Sequence, residues 1–402
     1  MIASFRHSHG TKLALAAFVS LLVTSQFSFA ATYFVGPNGS DSRSSAAATN
    51  RSTPWRSIQR GLDTAGAGDS VVVLAGTYYQ HVQFRRGGNS NGELILRSEV
   101  RNGAKLIGSI SGYYTNYIRI ENFDVTNPGD AQLTKGISLL GCHHVSVRSN
   151  RVHDCYGGGI SIDKSDWILV EWNLVNHNAF NDINQHSGIS IYQPQYRGND
   201  SRTYGIIIRN NTSYGNWNYV NNPNWGRPTD GNGIVLDDFL NQQAGGGTAY
   251  NRMTLVENNL CFGNGGQGIH NYLSQNVRIR NNTCVNNMGS FDFGGEISIV
   301  SSNRIYAYNN ILVARSGKKA ALQYQSYDYW VGYNVVDGPT QGLGQDNSNY
   351  YGPAAFIPGT FELEAYSPAV NSGLNMGDHF FLDVRGSNRL VGAIDRGASE
   401  RQ

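Results

Sequence analysis

One asparagine recurs along this chain at a spacing that dictates its architecture. The segments RIENFDV, VRSNRVH, VEWNLVN, IRNNTSY, VENNLCF, IRNNTCV, AYNNILV and VGYNVVD align on Asn122, Asn150, Asn173, Asn211, Asn259, Asn282, Asn310 and Asn334. The intervals are 28, 23, 38, 48, 23, 28 and 24 residues, a base period near 23 with insertions. A second column keeps step with the first: GISLL from Gly136, GISID from Gly159, GISIY from Gly188, GIVLD from Gly233, GIHNY from Gly268 and EISIV from Glu296. Each period holds two or three short strands with Gly and Asn at the corners. One such unit cannot bury its apolar face alone, whereas stacked coils bury a continuous column of Val, Ile and Leu.

The pattern predicts an all-β fold, a right-handed parallel β-helix. Leucine-rich repeats share the period, but their leucine pattern and helical segments are missing. The aligned asparagines are expected to form an internal ladder that satisfies turn backbone in neighbouring coils. The composition agrees: 48 Gly, 23 Tyr and only 15% charged residues suit many short strands joined by tight turns. Cys142, Cys155, Cys261 and Cys284 show no spacing that suggests a zinc site. Cys261 and Cys284 fall at equivalent positions of adjacent coils and read as a stacked core pair, with the disulfide state left open.

The ends read differently. Arg6 and Lys12, the apolar run Leu13 to Val23 and Ser28-Phe29-Ala30 have the form of a cleaved export signal over residues 1–30. The run is too short to span a membrane, so a secreted or periplasmic protein is expected. Residues 31–400 read as one solenoid domain. Its front cap is a strand at Tyr33-Phe34-Val35 and a short N-terminal helix beginning at Thr53-Pro54, with Ile58 and Leu62 toward the core. Residues 335–400 read as a looser tail. The whole chain has 31 Lys+Arg and 29 Asp+Glu; without Arg6 and Lys12 the two are equal. Bulk charge therefore gives no reason to expect nucleic acid or a membrane surface as partner, and a monomer is expected.

The opening TYFVGPNGSDS…STPWRSIQRGLDTAGAGDSVVVLAGTYYQHV resembles the start of secreted right-handed parallel β-helix proteins of the pectate-lyase-like superfamily. The ending YSPAVNSG…DVRGSNRLVGAIDRGASE is similar to their usual close. The resemblance covers nearly all of residues 31–400. It implies the fold and a polysaccharide-directed activity, in a superfamily that holds lyases, polygalacturonases, epimerases and non-catalytic members.

Strand alternation puts the Ile, Val and Leu of the second column inward. The outward residues of successive coils then stack, and Asp163, Tyr192, Asp237 and Tyr272 should form one surface row with His270 beside it. Lys164 and Asp238 sit one residue along. The longest insertions fall at the same coils. One supplies Arg197 and Arg202; the other, Trp217 to Asp230, supplies Trp217, Tyr219, Trp225, Arg227 and Asp230. Aromatic faces stack on sugar rings, and arginine forks match carboxylates.

These residue types suit β-elimination on an acidic polysaccharide, alginate or pectate. The expected catalytic set is Tyr192 and Lys164 as acid/base pair with His270 as helper, because nearby positive charge would lower the phenol pKa. Asp163, Arg197, Arg202, Trp225, Arg227, Asn271 and Tyr272 are the expected substrate contacts. Asp230, Asp237 and Asp238 admit three readings: calcium ligands, a carboxyl pair for inverting glycoside hydrolysis, or turn caps. The resemblance to family-nine pectate lyases would imply calcium and a lysine base, but no lysine lies between Lys164 and Lys318. A partial likeness to polygalacturonases rests on Leu236-Asp237-Asp238, Gly268-Ile269-His270 and Arg278-Ile279-Arg280. The glycine after that histidine is absent, and arginine stands for the final lysine.

Overall fold

The computed structural model describes residues 30–129, 134–243 and 245–402; the leading segment read as an export signal lies almost wholly outside them. The described chain winds through three all-parallel sheets of 11, 10 and 11 strands. One coil shows the plan. Ile160–Asp163 lies in the second sheet, Asp166–Glu171 in the first and Leu174–Asn176 in the third. The fold is the expected parallel β-helix. No described helix is long and apolar enough to cross a membrane.

Inward positions stack as predicted. Ile137, Ile160, Ile189, Ile234, Ile269 and Ile297 pair in strict register along the second sheet, each at most 1% exposed. The glycine before the first five of these isoleucines marks close approach: a Cβ on Gly233 would lie 2.7 Å from the Gly268 carbonyl oxygen.

The asparagine ladder is present, shifted at one end. The main-chain N–H of Asn150 donates to Asn173 Oδ1 at 3.0 Å, and the same bond repeats through Asn211, Asn259, Asn282, Asn310 and Asn334. It runs on to Asn349, one step beyond the sequence alignment. Asn122 is not part of it. Sheet register sets Glu121 opposite Arg148, so Phe123 occupies the ladder position, and its N–H donates to Asn150 Oδ1. A second ladder was not foreseen. It runs from the Cys155 N–H through Asn178, Asn216, Asn264 and Asn287, and ends on the buried carboxyl of Glu296.

The Asn-Asn doublets divide their labour. The second residue joins the ladder; the first turns the corner in the left-handed region, with φ of 54°, 56°, 53° and 57° at Asn210, Asn258, Asn281 and Asn309. Asparagine tolerates that region better than most residues. Its free amide then grips the C-terminal tail: Asn258 donates to the Leu382 carbonyl at 3.0 Å, Asn281 to Asp395 and Asn309 to Leu374. The tail is thus bound along the corner of the helix. At the front, the helix is Ile58–Thr64 with Ser57 as N-cap, preceded by a one-turn helix Ser45–Ala48. It does not begin at Pro54, because Trp55 first bridges to Val35 beside the opening strand. Ile58 and Leu62 face the core as expected. All four cysteines are buried free thiols, with Cys261 and Cys284 paired in register.

Asn259 makes every bond of a ladder rung, whereas Asn258 makes one bond to the tail. Asn259→Ala should cost on the order of 3 kcal/mol, since it strands several buried groups; Asn258→Gly, which keeps the corner geometry, should cost about 1 kcal/mol. Denaturant unfolding of the two variants checks the ranking.

Candidate active site

The outward row of the second sheet forms as the alternation requires. Asp163 pairs with Tyr192, Tyr192 with Asp237, Asp237 with Tyr272 and Tyr272 with Val300. Parallel strands lie about 4.8 Å apart, so Asp163 and Asp237 are separated by roughly 9.6 Å along the row. His270 lies on the same face, its ring parallel to that of Tyr272 with centroids 6.1 Å apart. Asp163, Tyr192, Asp237 and His270 are all partly exposed, and Tyr272 is more open.

The electrostatics differ from the expectation. Burial pushes the Tyr192 phenol up to about 12, and Asp237, Asp238 and Asp163 push it the same way. Cationic activation of this phenol is therefore overturned. Lys164 turns the corner in the left-handed region, its N–H donating to the Tyr192 carbonyl and its own carbonyl accepting from Arg197 Nε at 2.6 Å. Its ammonium is not among the charges acting on Tyr192. Asp237 is driven well above the usual carboxylate range by burial and then by Asp230 and Asp238, against a 2.7 Å hydrogen bond from Gln243 Nε2. The Asp230 carboxyl, raised chiefly by burial, sits at about 6, while accepting from Thr229 Oγ1 and Asn232 Nδ2. Burial holds His270 down at about 4, and its Nδ1 is buried without a partner.

Several expected contacts lie elsewhere. Asn271 points inward, fully buried, and its amide donates to the Ser298 carbonyl. Period-two alternation already places it opposite to His270. Arg197 lies over the Tyr114 ring, and its N–H donates to Asp166. Arg202 is ion-paired to Asp200 at 2.5 Å and lies over Trp167. Both arginines therefore belong to a cluster on the first sheet, anchored by buried Asp166, which also takes hydrogen bonds from Tyr250 and Arg252. Trp225 and Arg227 are exposed on the tip of their insertion, Arg227 in the field of Asp292. Two participants were missed. Lys135 forms an ion pair with Asp163 at 3.6 Å, and Asp182 receives His186 Nδ1 at 2.6 Å beside Asp230. Lys135 stands one residue before Gly136, so the column alignment itself could have flagged it.

The donor set does not fit calcium. Both Asp238 oxygens are spent on the Gln242 and Gln243 N–H groups and the Gln193 amide. Among the described residues, no three His, Cys, Asp or Glu side chains are grouped to hold a metal ion. Asp238 is a turn cap, the third of its sequence readings.

The family described as "Right handed beta helix region" matches residues 135–335, half of the chain. The chain belongs to the right-handed β-helix family. The pectate-lyase-like resemblance drawn from the two ends is matched in fold. Pectate lyase Pel9A superposes with a TM-score of 0.58 at 18% identity, covering 94% of this chain and 98% of its own. Alginate lyase from Paenibacillus sp. str. FPU-7 gives 0.46 at 17%, covering 73% and 96%. GH136 lacto-N-biosidase from Eubacterium ramulus gives 0.42 at 12%, covering 80% and 67%. No curated protein sequence matches the chain. At these identities the likeness is one of fold.

The raised Asp230 carboxyl has a consequence for stability. The folded state binds this proton more tightly than the unfolded chain does. That contribution is full below about pH 4 and is lost as pH rises through about 6. Asp230→Asn should therefore lose less Tm than the wild type between pH 4 and pH 7, approximately; thermal melts with equal slopes would contradict the assignment.

Proposed function

We propose that this protein cleaves a glycan on the exposed face of the second sheet, by hydrolysis between two carboxyl groups. The observation that carries the reading is Asp237, a proton-retaining carboxyl on an open face, in register with Asp163 two coils away. Two titratable groups whose surroundings differ are the pattern of an acid and a base. Asp237 is the general acid that protonates the leaving glycosidic oxygen. Asp163, ion-paired to Lys135, is the base that takes a proton from the attacking water. Two coils between the carboxyls leave room for that water, the arrangement of inversion at the anomeric carbon. Tyr192 and Tyr272 offer ring faces and hydroxyls to the sugars. An acidic polysaccharide, the expected partner, is disfavoured at this row: its surface is carboxyl-rich, and Arg197 and Arg202 are committed elsewhere. The segment 1–30 supports export as the route by which the protein meets its substrate.

A second reading, β-elimination on a uronate polymer, is favoured by one observation. The His270 imidazole, which burial holds below its usual pKa, stacks on the Tyr272 ring, a potential base next to a potential acid.

One screen separates them. The protein is incubated with neutral glycans and with alginate, pectate, glucuronan and hyaluronan, following both reducing ends and the ultraviolet absorbance of unsaturated uronates. Hydrolysis predicts reducing ends without absorbance. Asp237→Asn and Asp163→Asn should each lower kcat by about 10²–10⁴-fold, with Tyr192→Phe within a few-fold of wild type. Absorbance lost in His270→Ala would replace the first reading with the second.

A further inference from the structure

The insertion Trp217 to Asp230 reaches the row only through its last residue. Its first residues line a different place, a cleft of about 220 Å³ at the corner after the third sheet. The floor is a column of left-handed corner residues on successive coils, Asp154, His177 and Gly215, with φ of 49°, 53° and 61°. Glycine at 215 keeps that floor open: a Cβ there would stand 3.0 Å from the His177 ring. Phe180, Trp217 and Tyr219 supply aromatic walls.

The indole is built in rather than draped. Trp217 Nε1 donates to the Gly263 carbonyl at 2.8 Å, and the ring presses on Gly289, where a Cβ would come within 2.2 Å. Tyr219 stacks on it with centroids 5.9 Å apart and an interplanar angle of 19°, yet remains 70% exposed. Phe180 is braced edge-on by Tyr156. A large exposed aromatic held parallel to a rigid indole, at the wall of a cleft, is a stacking surface for a ligand face.

We infer that this cleft is a second glycan-binding site that takes a single neutral pyranose unit. The volume is below the range of about 300–1,000 Å³ typical of drug-sized ligands, which suits one ring. A pyranose offers an apolar C–H face to the aromatic walls and a rim of hydroxyls to the polar floor. Asp154 Oδ2 accepts from His153, and its carboxylate remains 54% exposed for a hydroxyl. His177 Nδ1 is engaged by the Asn176 amide, which leaves Nε2 to the cleft. Among the described residues no Lys or Arg lines the cleft, so a uronate carboxylate would meet Asp154 without a counter-charge. The inference shares with the proposed function only that the ligand is a glycan; it stands on binding, not on cleavage.

Affinity electrophoresis of the full chain in gels containing barley β-glucan, galactomannan or xyloglucan tests it, with polygalacturonate as the charged control. At least one neutral polymer should retard the protein. Tyr219→Ala should weaken that retardation about tenfold and Phe180→Ala should weaken it too, while Tyr366→Ala, an exposed tyrosine of the tail, should not. Retardation by no neutral polymer, or retention of binding in Tyr219→Ala, would overturn the site. Binding lost in Tyr219→Ala by a protein that cleaves nothing would sustain the cleft and sink the proposed hydrolysis.

Discussion

Two columns of side-chain amides hold this helix in register. In each rung the carbonyl oxygen of one asparagine accepts the main-chain N–H of the corresponding residue one coil away, and in most rungs its amide donates to a carbonyl on the other side. A strand that slipped by one residue would strand these groups in an interior with no water, at a cost paid at every rung. The rungs therefore tolerate length but not shift. Coils separated by 38 and 48 residues still return to the same bond, Asn173 to Asn211 and Asn211 to Asn259, because the extra chain leaves as loops. The outward row, the cleft and the path of the tail all inherit their geometry from that constraint.

The same constraint explains what the sequence makes legible. Asp163, Tyr192, Asp237 and Tyr272 are spread over more than a hundred residues, yet period-two alternation within each strand and the repeat between strands place them side by side. Asn122 shows the limit of letter matching: an asparagine one position early looks like a rung, and only backbone pairing identifies Phe123 as its true counterpart. The paths of the insertions were not legible. Arg197 and Arg202 belong to the right coil, but the pull of buried Asp166 and the rings of Tyr114 and Trp167 draws them to the first sheet. No periodicity governs a loop, so a residue type that suits a substrate says nothing about which wall the loop will cover.

Charge placement separates the row from the scaffold around it. Some buried ions elsewhere are neutralised locally: Arg280 lies between Glu257 and Asp378, and Glu171 takes Arg148 and Arg209. A buried ion pair with good geometry offsets its desolvation, and an unpaired one does not. Asp237 is desolvated by burial and has carboxyl neighbours against one amide donor, so the cheaper state is the neutral one and the proton stays. A scaffold under selection for stability alone would replace such a residue with Asn or Ser. Its presence on an open face, beside a histidine with a bare buried nitrogen, is a local cost that the surrounding register has to carry.

The insertion from Trp217 to Asp230 joins these themes. Its first residue is seated by a hydrogen bond and two glycines on the third-sheet corner, and its last is held by Thr229 and Asn232 next to Asp237. Between them the loop carries Trp225 and Arg227 into solvent. Both ends are anchored to coils whose spacing the ladders enforce, so the row and the cleft cannot drift apart or merge. A rigid solenoid can therefore present one extended chain with two contact points at a constant separation, the condition under which two weak sites reinforce one another through effective concentration. Flexible tethering of either end would forfeit that gain, which is why the loop's anchors, rather than its exposed tip, are where its sequence is most constrained by packing.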